Sequence, residues 1–219
     1  MAAKKRVVVF DFDGVIADSF DLHLACWQEV LGGLGASVSD EALMKTMGWS
    51  SPDTARSLLK SASVQAKPDE VAERKKALFR KRAAKELEPM SGSVDAVERL
   101  SEGFHVAVTS GRSRKTTETA LDRFGIRAQF DAVLTSDDLG PRDELDDLLS
   151  MVVDRVGLKR GSGVMVDDSR NGLLAAERAG MKSVAFDSNP KFQVDYSMAD
   201  AVIGSLDELQ PELLHAVFG

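Results

Sequence analysis

Short apolar runs recur along the chain and predict buried β-strands. They lie at 7–10, 106–108, 132–134, 164–166, 184–186 and 201–203. From residue 91 onward the runs alternate with segments in which apolar residues recur with a helical period. Strand-helix-strand units with right-handed crossovers form a parallel, doubly wound sheet that binds ligands beyond the carboxyl ends of its strands. We therefore predict an α/β fold built on such a sheet.

The segment between the first two runs has a different pattern, because residues 19–88 show helical periods and no strand pattern. The clearest of these helices carries apolar residues at Phe20, Leu24, Trp27, Val30, Leu31 and Leu34. We predict that residues 19–88 form an all-helical domain inserted into an α/β domain made of residues 1–18 and 89–219.

The amino-acid composition of the chain limits the kinds of molecule that it could bind. The 219 residues, 43% of them hydrophobic, can bury the core of one large domain or two smaller ones. A net charge of -7 argues against a nucleic acid held by overall electrostatic attraction and favours a small ligand. Cys26 is the single cysteine, which excludes an intramolecular disulfide and a cysteine-based metal site and fits a reducing compartment.

The hydropathy of the chain gives no sign of a membrane segment. No apolar run approaches the roughly 20 residues that span a bilayer. The basic residues near the start are followed by only four apolar residues, so we interpret this start as a mature cytoplasmic terminus. We expect a cytoplasmic monomer or homodimer with no membrane partner.

Two carboxylates, Asp11 and Asp13, directly follow the first apolar run. Because side chains alternate along a strand, both leave on the same side of the chain. Like charges placed together require a bound cation, or a division of labour in which one carboxylate attacks and the other transfers a proton. The alternative is a simple turn at Asp13-Gly14 with Asp11 as a solvated strand end.

The second apolar run ends in Thr109 and Ser110, which are followed by Gly111 and a helical segment. Hydroxyl and backbone N–H donors at such a position suit a bound phosphate. The alternative is that one of these hydroxyls caps the following helix.

The fourth apolar run ends in a second pair of carboxylates, Asp167 and Asp168. Together with Asp11 they would form an oxygen-rich pocket of the kind that Mg²⁺ prefers. Capping of the next helix by Asp168 or Ser169 is again possible. Capping alone is insufficient, however, because two acidic strand ends at one edge repel each other unless a cation neutralises them. We therefore predict Mg²⁺ as cofactor.

Three stretches in this order resemble one family. They are Asp-Phe-Asp-Gly-Val-Ile-Ala-Asp-Ser over 11–19, the Thr109-Ser110 strand end, and Val-Asp-Asp-Ser-Arg-Asn-Gly-Leu-Leu-Ala-Ala-Glu-Arg-Ala-Gly-Met over 166–181. Together they resemble the haloacid dehalogenase-like hydrolase superfamily, most closely its phosphoglycolate phosphatase and beta-phosphoglucomutase branch. The resemblance spans almost the whole chain and implies a Rossmann-like core with a helical cap, which residues 19–88 would supply.

The resemblance implies a role for each matching residue. Asp11 matches the nucleophile that forms an aspartyl-phosphate, and Asp13 matches the general acid/base that also gives its backbone carbonyl to Mg²⁺. Ser110 matches the hydroxyl that binds the transferring phosphoryl group. Asp168 resembles the direct metal ligand and Asp167 its outer-sphere partner. The glycines next to these motifs are expected to contact the substrate: Gly14 and Gly111.

The third motif departs from the family pattern. Relatives carry a lysine in a Gly-Lys-Pro-x-Pro stretch, whereas this chain has Asp-Asp-Leu-Gly-Pro-Arg-Asp-Glu over 137–144. Counting from Gly140 places Pro141 at the lysine position, and counting back from the helix places Asp143 there. Arg142 is the cation in reach. It either neutralises the phosphate in place of the lysine, with a planar fork instead of a point charge, or lies on the surface.

Two residues that follow the first motif are similar to the hinge region of the phosphosugar branch. They are His23 and Trp27, in the pattern Asp-Ser-x-x-x-His-x-x-x-Trp. We interpret Trp27 as a core residue of the first cap helix, while His23 has a structural and a functional interpretation of equal standing.

Two further cap segments resemble substrate-contacting parts of the family. Residues 46–52 are similar to the substrate-specificity loop, in which Gly48 allows close approach of the backbone and Trp49 offers an apolar wall. Lys75 matches a cap lysine that reaches toward a distal substrate group. The basic run around it, 73–82, is also typical of a solvated helix face.

Three functions remain in view. We favour a Mg²⁺-dependent phosphatase of a small phosphorylated metabolite, of phosphosugar or phosphoglycolate type, acting through an aspartyl-phosphate. A phosphosugar mutase is suggested by His23 and by Gly172, which stands where many phosphatases of the group carry an aspartate. A weakly active or non-catalytic protein that binds a ligand or a partner is suggested by the missing lysine.

Overall fold

The computed structural model describes residues 5–46, 49–140, 147–188 and 194–219. The chain divides into two compact units. One contains the residues up to Asp18 together with Glu88–Gly219, and the other is Ser19–Leu87. No helix in the described ranges combines the length and the apolar character needed to cross a membrane.

The strands all belong to the first unit. In chain order they are β1 (Val7–Asp11), β2 (Ala17–Asp18), β3 (Glu88–Pro89), β4 (His105–Ser110), β5 (Ala132–Thr135), β6 (Gly163–Asp167), β7 (Lys182–Phe186) and β8 (Ala201–Ile203). Six of them form one sheet in the order β5-β4-β1-β6-β7-β8, with parallel pairing throughout. The short β2 and β3 form a separate antiparallel pair. The predicted parallel, doubly wound sheet is confirmed.

The helices are distributed over both units. In chain order they are α1 (Phe20–Gly32), α2 (Asp40–Met44), α3 (Ser51–Ser61), α4 (Pro68–Glu86), α5 (Ser93–Ser101), α6 (Arg114–Arg123), α7 (Asp147–Arg155), α8 (Arg170–Arg178) and α9 (Pro211–Phe218). The first four lie in the second unit, and α5 to α9 lie in the first.

The central strand β1 fixes the position of the first motif. Val7–Phe10 pair with β4 on one side and β6 on the other, and all four side chains are fully buried. Val7 and Val9 pack in one apolar cluster with Leu148 and Val152 of α7, while the alternate residues point to the opposite face. Because both neighbours hold β1, Asp11 at its end lies in the middle of the carboxyl edge of the sheet.

The second unit has a core of its own. Its helices bury an apolar cluster that includes Trp27 and Leu31 of α1, Leu58 of α3 and Val71 of α4. Trp27 is only 3% exposed, as expected for a core residue. The helices are thus held by apolar packing, which provides most of the stability of helices of this length.

Candidate active site

Three adjacent strands bring the predicted site residues to one edge of the sheet. β4, β1 and β6 are neighbours, and their carboxyl ends carry Ser110, Asp11 and Asp167 respectively. The strands are in register there, with Asp11 opposite Thr109. Parallel pairing therefore places the hydroxyl of Ser110 next to the two acidic strand ends. They lie at the edge of the sheet where doubly wound folds bind their ligands.

The chain turns sharply after Asp11. The backbone N–H of Asp13 donates to Oδ2 of Asp11 at 3.0 Å, and the N–H of Gly14 donates to the carbonyl of Ala17 at 2.9 Å. Phe12 between the two acids is fully buried, and its N–H donates to the carbonyl of Thr109. The turn at Asp13-Gly14 thus exists, but Asp11 is not a solvated strand end, because the turn folds back over its carboxylate.

The second carboxylate pair begins helix α8, and the capping residue is Ser169. Its Oγ accepts from the N–H of Gly172 at 3.0 Å. Asp167 is almost completely buried and accepts from the N–H and the hydroxyl of Ser169, at 2.8 and 2.7 Å. Capping is therefore assigned to Ser169 and not to Asp168.

Asp168 is held from the connection after β7. Ser188 Oγ donates to Asp168 Oδ2 at 3.3 Å, and the hydroxyl of Tyr196 donates to the Asp168 carbonyl at 3.0 Å. The sequence analysis gave no role to either residue. Neither belongs to a recognisable motif, and their contact with Asp168 depends on the pairing of β6 with β7.

The carboxylates perturb one another. Burial raises the pKa of Asp11 well above its usual value, and the negative charges of Asp167, Asp13 and Asp168 raise this pKa further. A hydrogen bond from the N–H of Phe12 lowers it, but by less. Burial raises the pKa of Asp167 to about 6. Burial, together with the charges of Asp167 and Asp13, raises the pKa of Asp168 to about 8. Without a cation, the charged forms of these groups are strongly disfavoured.

The donor set fits a magnesium ion. No group of three or more His, Cys, Asp or Glu side chains in the described ranges could hold a metal by itself. Mg²⁺ does not need one, because it usually keeps several waters and takes one or two carboxylates together with phosphate oxygens. The carboxylates of Asp11 and Asp168 and the backbone carbonyl of Asp13 would provide that partial set.

Gly14 allows these donors to approach one another. It has φ +80°, and a Cβ atom built on it would lie 2.1 Å from Asp168 Oδ2. The carboxylate of Asp168 therefore lies directly against the backbone that follows Asp13. A larger residue would displace it, so the glycine is required by this approach and by its backbone conformation.

The second strand end is not a helix cap. Ser113 caps α6, with its Oγ accepting from the N–H of Thr116. Ser110 is buried, and its Oγ accepts from the N–H of Arg112 at 3.1 Å. Gly111 between them is exposed. The capping alternative for Ser110 is thus excluded, and its role as the phosphate-binding hydroxyl stays a prediction.

Arg112 is a site residue that the sequence analysis missed. Its Nε donates to Asp13 Oδ2 at 2.8 Å, and its Nη2 donates to Asp13 Oδ1. The arginine side chain is only 11% exposed. The sequence does show an arginine just after a strand end that carries hydroxyls. It does not show the partner of that arginine, because Asp13 is 99 residues away in sequence.

The third motif is described only in part. Pro141, Arg142 and Asp143 lie outside the described residues. Upstream of them, Asp138 accepts from Arg114 Nη2 at 2.6 Å with each carboxylate oxygen and from the N–H of Thr135 at 2.8 Å. This acid therefore ties the end of β5 to the start of α6.

The second unit places Lys75 inside an aromatic environment. Its side chain is 3% exposed, its Nζ donates to His23 Nδ1, and it lies 5.3 Å from the ring centroid of Trp27 and 5.1 Å from that of Phe79. His23 stacks on Phe79 at 4.3 Å. Lys75 is thus not on a solvated face, and His23 is its direct partner.

The structure describes residues 46 and 49–52 of the predicted specificity loop. Gly48 lies outside the described residues, whereas Trp49 is 52% exposed. Its contact with a substrate stays a prediction.

Comparisons with known proteins identify the family of the chain. Residues 8–186 match the family described as haloacid dehalogenase-like hydrolase. The chain is 28% identical over 177 residues to fructose-1-phosphate phosphatase YqaB of Escherichia coli, covering 81% of this chain and 94% of that protein. It is 27% identical over 215 residues to the phosphoglycolate phosphatase of Vibrio parahaemolyticus, covering 93% and 94%.

Solved structures share the fold. The chain is similar to the crystal structure of beta-phosphoglucomutase from Clostridium difficile, with a TM-score of 0.75 and 17% identity over 98% of this chain and 97% of that one. It is also similar to CbbY from Rhodobacter sphaeroides, solved in complex with phosphate, with a TM-score of 0.77 and 21% identity over 94% and 96%.

The raised pKa values predict a pH-dependent response to magnesium. Groups whose folded pKa lies above the unfolded value bind protons more strongly in the folded state, so the metal-free protein loses stability as the pH rises from about 4 to about 8. Mg²⁺ bound at these acids would replace those protons. Thermal melting should therefore show a larger Mg²⁺-induced rise in Tm at about pH 8 than at about pH 5.

The matched variant for this measurement is Asp168→Asn. It removes one of the repelling charges, so its metal-free form should melt above the wild type at about pH 8, and added Mg²⁺ should stabilise it much less. An equal Mg²⁺ response of the wild-type protein at both pH values would contradict the predicted metal site.

Gly14→Ala tests the contact between the turn and Asp168. The added Cβ collides with the carboxylate, so we expect the affinity for Mg²⁺ to fall about 10- to 100-fold, in addition to a strain of about 1–2 kcal/mol. The control is Gly125→Ala, since Gly125 has a similar φ of +76° but open space around its Cβ position. Calorimetric Mg²⁺ titration should show unchanged affinity in the control, and an equal loss in both variants would refute the proposed contact.

Proposed function

The chain belongs to the haloacid dehalogenase-like hydrolase family, and from that premise we propose that it is a Mg²⁺-dependent phosphatase of a small phosphorylated metabolite. Relatives named as phosphatases of fructose-1-phosphate and of phosphoglycolate support a phosphoric monoester hydrolase with a substrate of phosphosugar or phosphoglycolate type. The observation that carries the proposal is the arrangement of Asp11 and Asp13 on one turn at the middle of the sheet edge.

In the first step Asp11 attacks the phosphorus atom of the ester. The bond from phosphorus to the ester oxygen breaks, and that oxygen takes its electron pair and a proton from Asp13. The hydrogen bond from the N–H of Asp13 to Asp11 Oδ2 fixes the rotation of the attacking carboxylate. The product of this step is an aspartyl-phosphate on Asp11 and a free alcohol.

In the second step water hydrolyses the aspartyl-phosphate. The carboxylate of Asp13, now without its proton, takes one from water as the water oxygen attacks phosphorus. The bond between phosphorus and Asp11 breaks, which restores the Asp11 carboxylate and releases phosphate. Asp13 recovers its proton, so both residues are ready for another turnover.

The metal and Ser110 would act on the phosphoryl group. Asp11, Asp168 and the Asp13 carbonyl would hold Mg²⁺, which would supply positive charge that keeps Asp11 ionised and reduces its repulsion of the phosphate. Asp167 would orient this set from the outer sphere through its bonds to Ser169. The hydroxyl of Ser110 would bind a phosphoryl oxygen from the neighbouring strand.

A phosphosugar mutase is the second candidate, and one observation favours it. A Cβ atom at Gly172 would lie 1.8 Å from Asp167 Oδ2. The aspartate that many phosphatases of this group carry at that position therefore does not fit unless Asp167 moves. A mutase would use the same aspartyl-phosphate, would require a bisphosphate activator and would yield an isomer rather than free phosphate.

Phosphate release from an aryl phosphate and a panel of small phosphate esters, with and without Mg²⁺, tests the proposal. We expect Mg²⁺-dependent turnover that falls by at least about 10³-fold in Asp11→Asn, because the variant lacks the nucleophile. The matched control is Asp200→Asn, which removes a carboxylate at the amino end of β8 and should retain turnover.

The remaining outcomes separate the candidates. Full turnover by Asp11→Asn would show that Asp11 is not the nucleophile. Isomerisation of a phosphosugar in the presence of its bisphosphate, without net phosphate release, would establish the mutase. Binding of esters with neither reaction would establish a non-catalytic protein, the third function suggested by the absence of the family lysine.

A further inference from the structure

We propose that Arg112 is a positioning residue that holds the Asp13 carboxyl in the orientation from which it gives its proton to the leaving group. This inference rests on the proposed phosphatase function. The structure places both side-chain oxygens of Asp13 in the fork of the Arg112 guanidinium, through Nε and Nη2. Bidentate pairs of this kind fix the orientation of a carboxylate as well as its charge.

The backbone of Arg112 is itself held firmly. Its N–H donates to Ser110 Oγ at 3.1 Å, and its carbonyl accepts from the N–H and the Oγ of Ser136, at 3.2 and 2.9 Å. Ser136 directly follows β5, so Arg112 is fixed between the ends of two neighbouring strands. Its guanidinium carbon also lies 5.8 Å from the ring centroid of the buried Phe12.

The fork acts on the proton transfer in the first step. As the bond from phosphorus to the ester oxygen breaks, the proton moves from Asp13 to that oxygen and Asp13 becomes a carboxylate. Arg112 is already placed to pair with this developing negative charge, which costs no rearrangement at the moment of reaction. The fork therefore keeps the Asp13 carboxyl in one orientation throughout the transfer.

The effect of Arg112 on the reaction rate depends on the leaving group of the ester. An alkoxide is a poor leaving group and needs the proton, whereas an activated aryl oxide leaves readily without it. Loss of Arg112 should therefore slow alkyl phosphates far more than activated aryl phosphates. A residue that only stabilises the fold, or only attracts the phosphate, would change the rates of both esters by the same factor.

The chain offers a matched control in Arg114. It lies two residues further on and makes its own bidentate pair, with Asp138, at the same edge of the sheet. Its carboxylate partner ties β5 to α6 and is not one of the four acids of the site. Arg114→Gln therefore removes a similar ion pair without touching Asp13.

The experiment measures kcat/KM with Mg²⁺ for a series of phosphate esters from activated aryl to alkyl. This constant reports the steps up to formation of the aspartyl-phosphate, in which the leaving group departs. For Arg112→Gln we expect a loss of about 10²-fold on alkyl esters and less than about 5-fold on the most activated aryl ester. Arg112→Lys keeps the charge without the fork and should show the same selective loss, reduced to about 10-fold.

Two further comparisons complete the test. Arg114→Gln should lower kcat/KM for all esters by one common factor, if it lowers it at all. In an Asp13→Asn background, Arg112→Gln should bring no further selective loss, because the residue that it positions is absent. Circular dichroism and thermal melting establish that each variant is folded.

Several results would overturn the inference. They are an equal loss on alkyl and aryl esters in Arg112→Gln, no loss in that variant, full recovery by Arg112→Lys, or a selective loss that persists in the Asp13→Asn background. In each of these cases the wild-type protein still turns over, so the proposed function stands. A wild-type protein that releases no phosphate from any ester would overturn the proposed function and this inference with it.

Discussion

Electrostatic repulsion among four carboxylates is the constraint around which the first unit is organised. Asp11, Asp13, Asp167 and Asp168 meet at the ends of β1 and β6, and the central position of β1 prevents the first pair from moving into solvent. Burial and mutual charge raise the pKa of Asp11 and Asp168 together. Such a cluster lowers the stability of a metal-free fold, and the cation and the phosphoryl chemistry that we propose would account for its presence.

Each acid of the cluster has a donor of its own, supplied from a different part of the chain. A backbone N–H on the same turn serves Asp11, and Ser169 at the start of α8 serves Asp167. Asp168 is held from beyond β7, and Asp13 is held by Arg112 from beyond β4. Because the donors are separate, each carboxylate keeps a fixed orientation of its own.

The parts of this site that could be predicted from the sequence are the local ones. Alternation along a strand and the order of strands in a doubly wound sheet were sufficient to bring Asp11, Asp167 and Ser110 to one edge. The pairing of Arg112 with Asp13, and of Tyr196 with Asp168, depends on which strands are neighbours and on side-chain reach, which no local pattern encodes. For the same reason a basic helix face suggested a solvated Lys75, whereas the fold of the second unit buries it.

Strand order also determines where positive charge can reach the acids. β4 is the direct neighbour of β1, whereas β5 lies one strand further out. An arginine that follows β4 therefore reaches Asp13 directly. The planar fork of an arginine suits this short reach, because two of its donors can engage both oxygens of one carboxylate. The contact of Arg112 with Asp13 is thus a consequence of the same parallel pairing that assembles the acids.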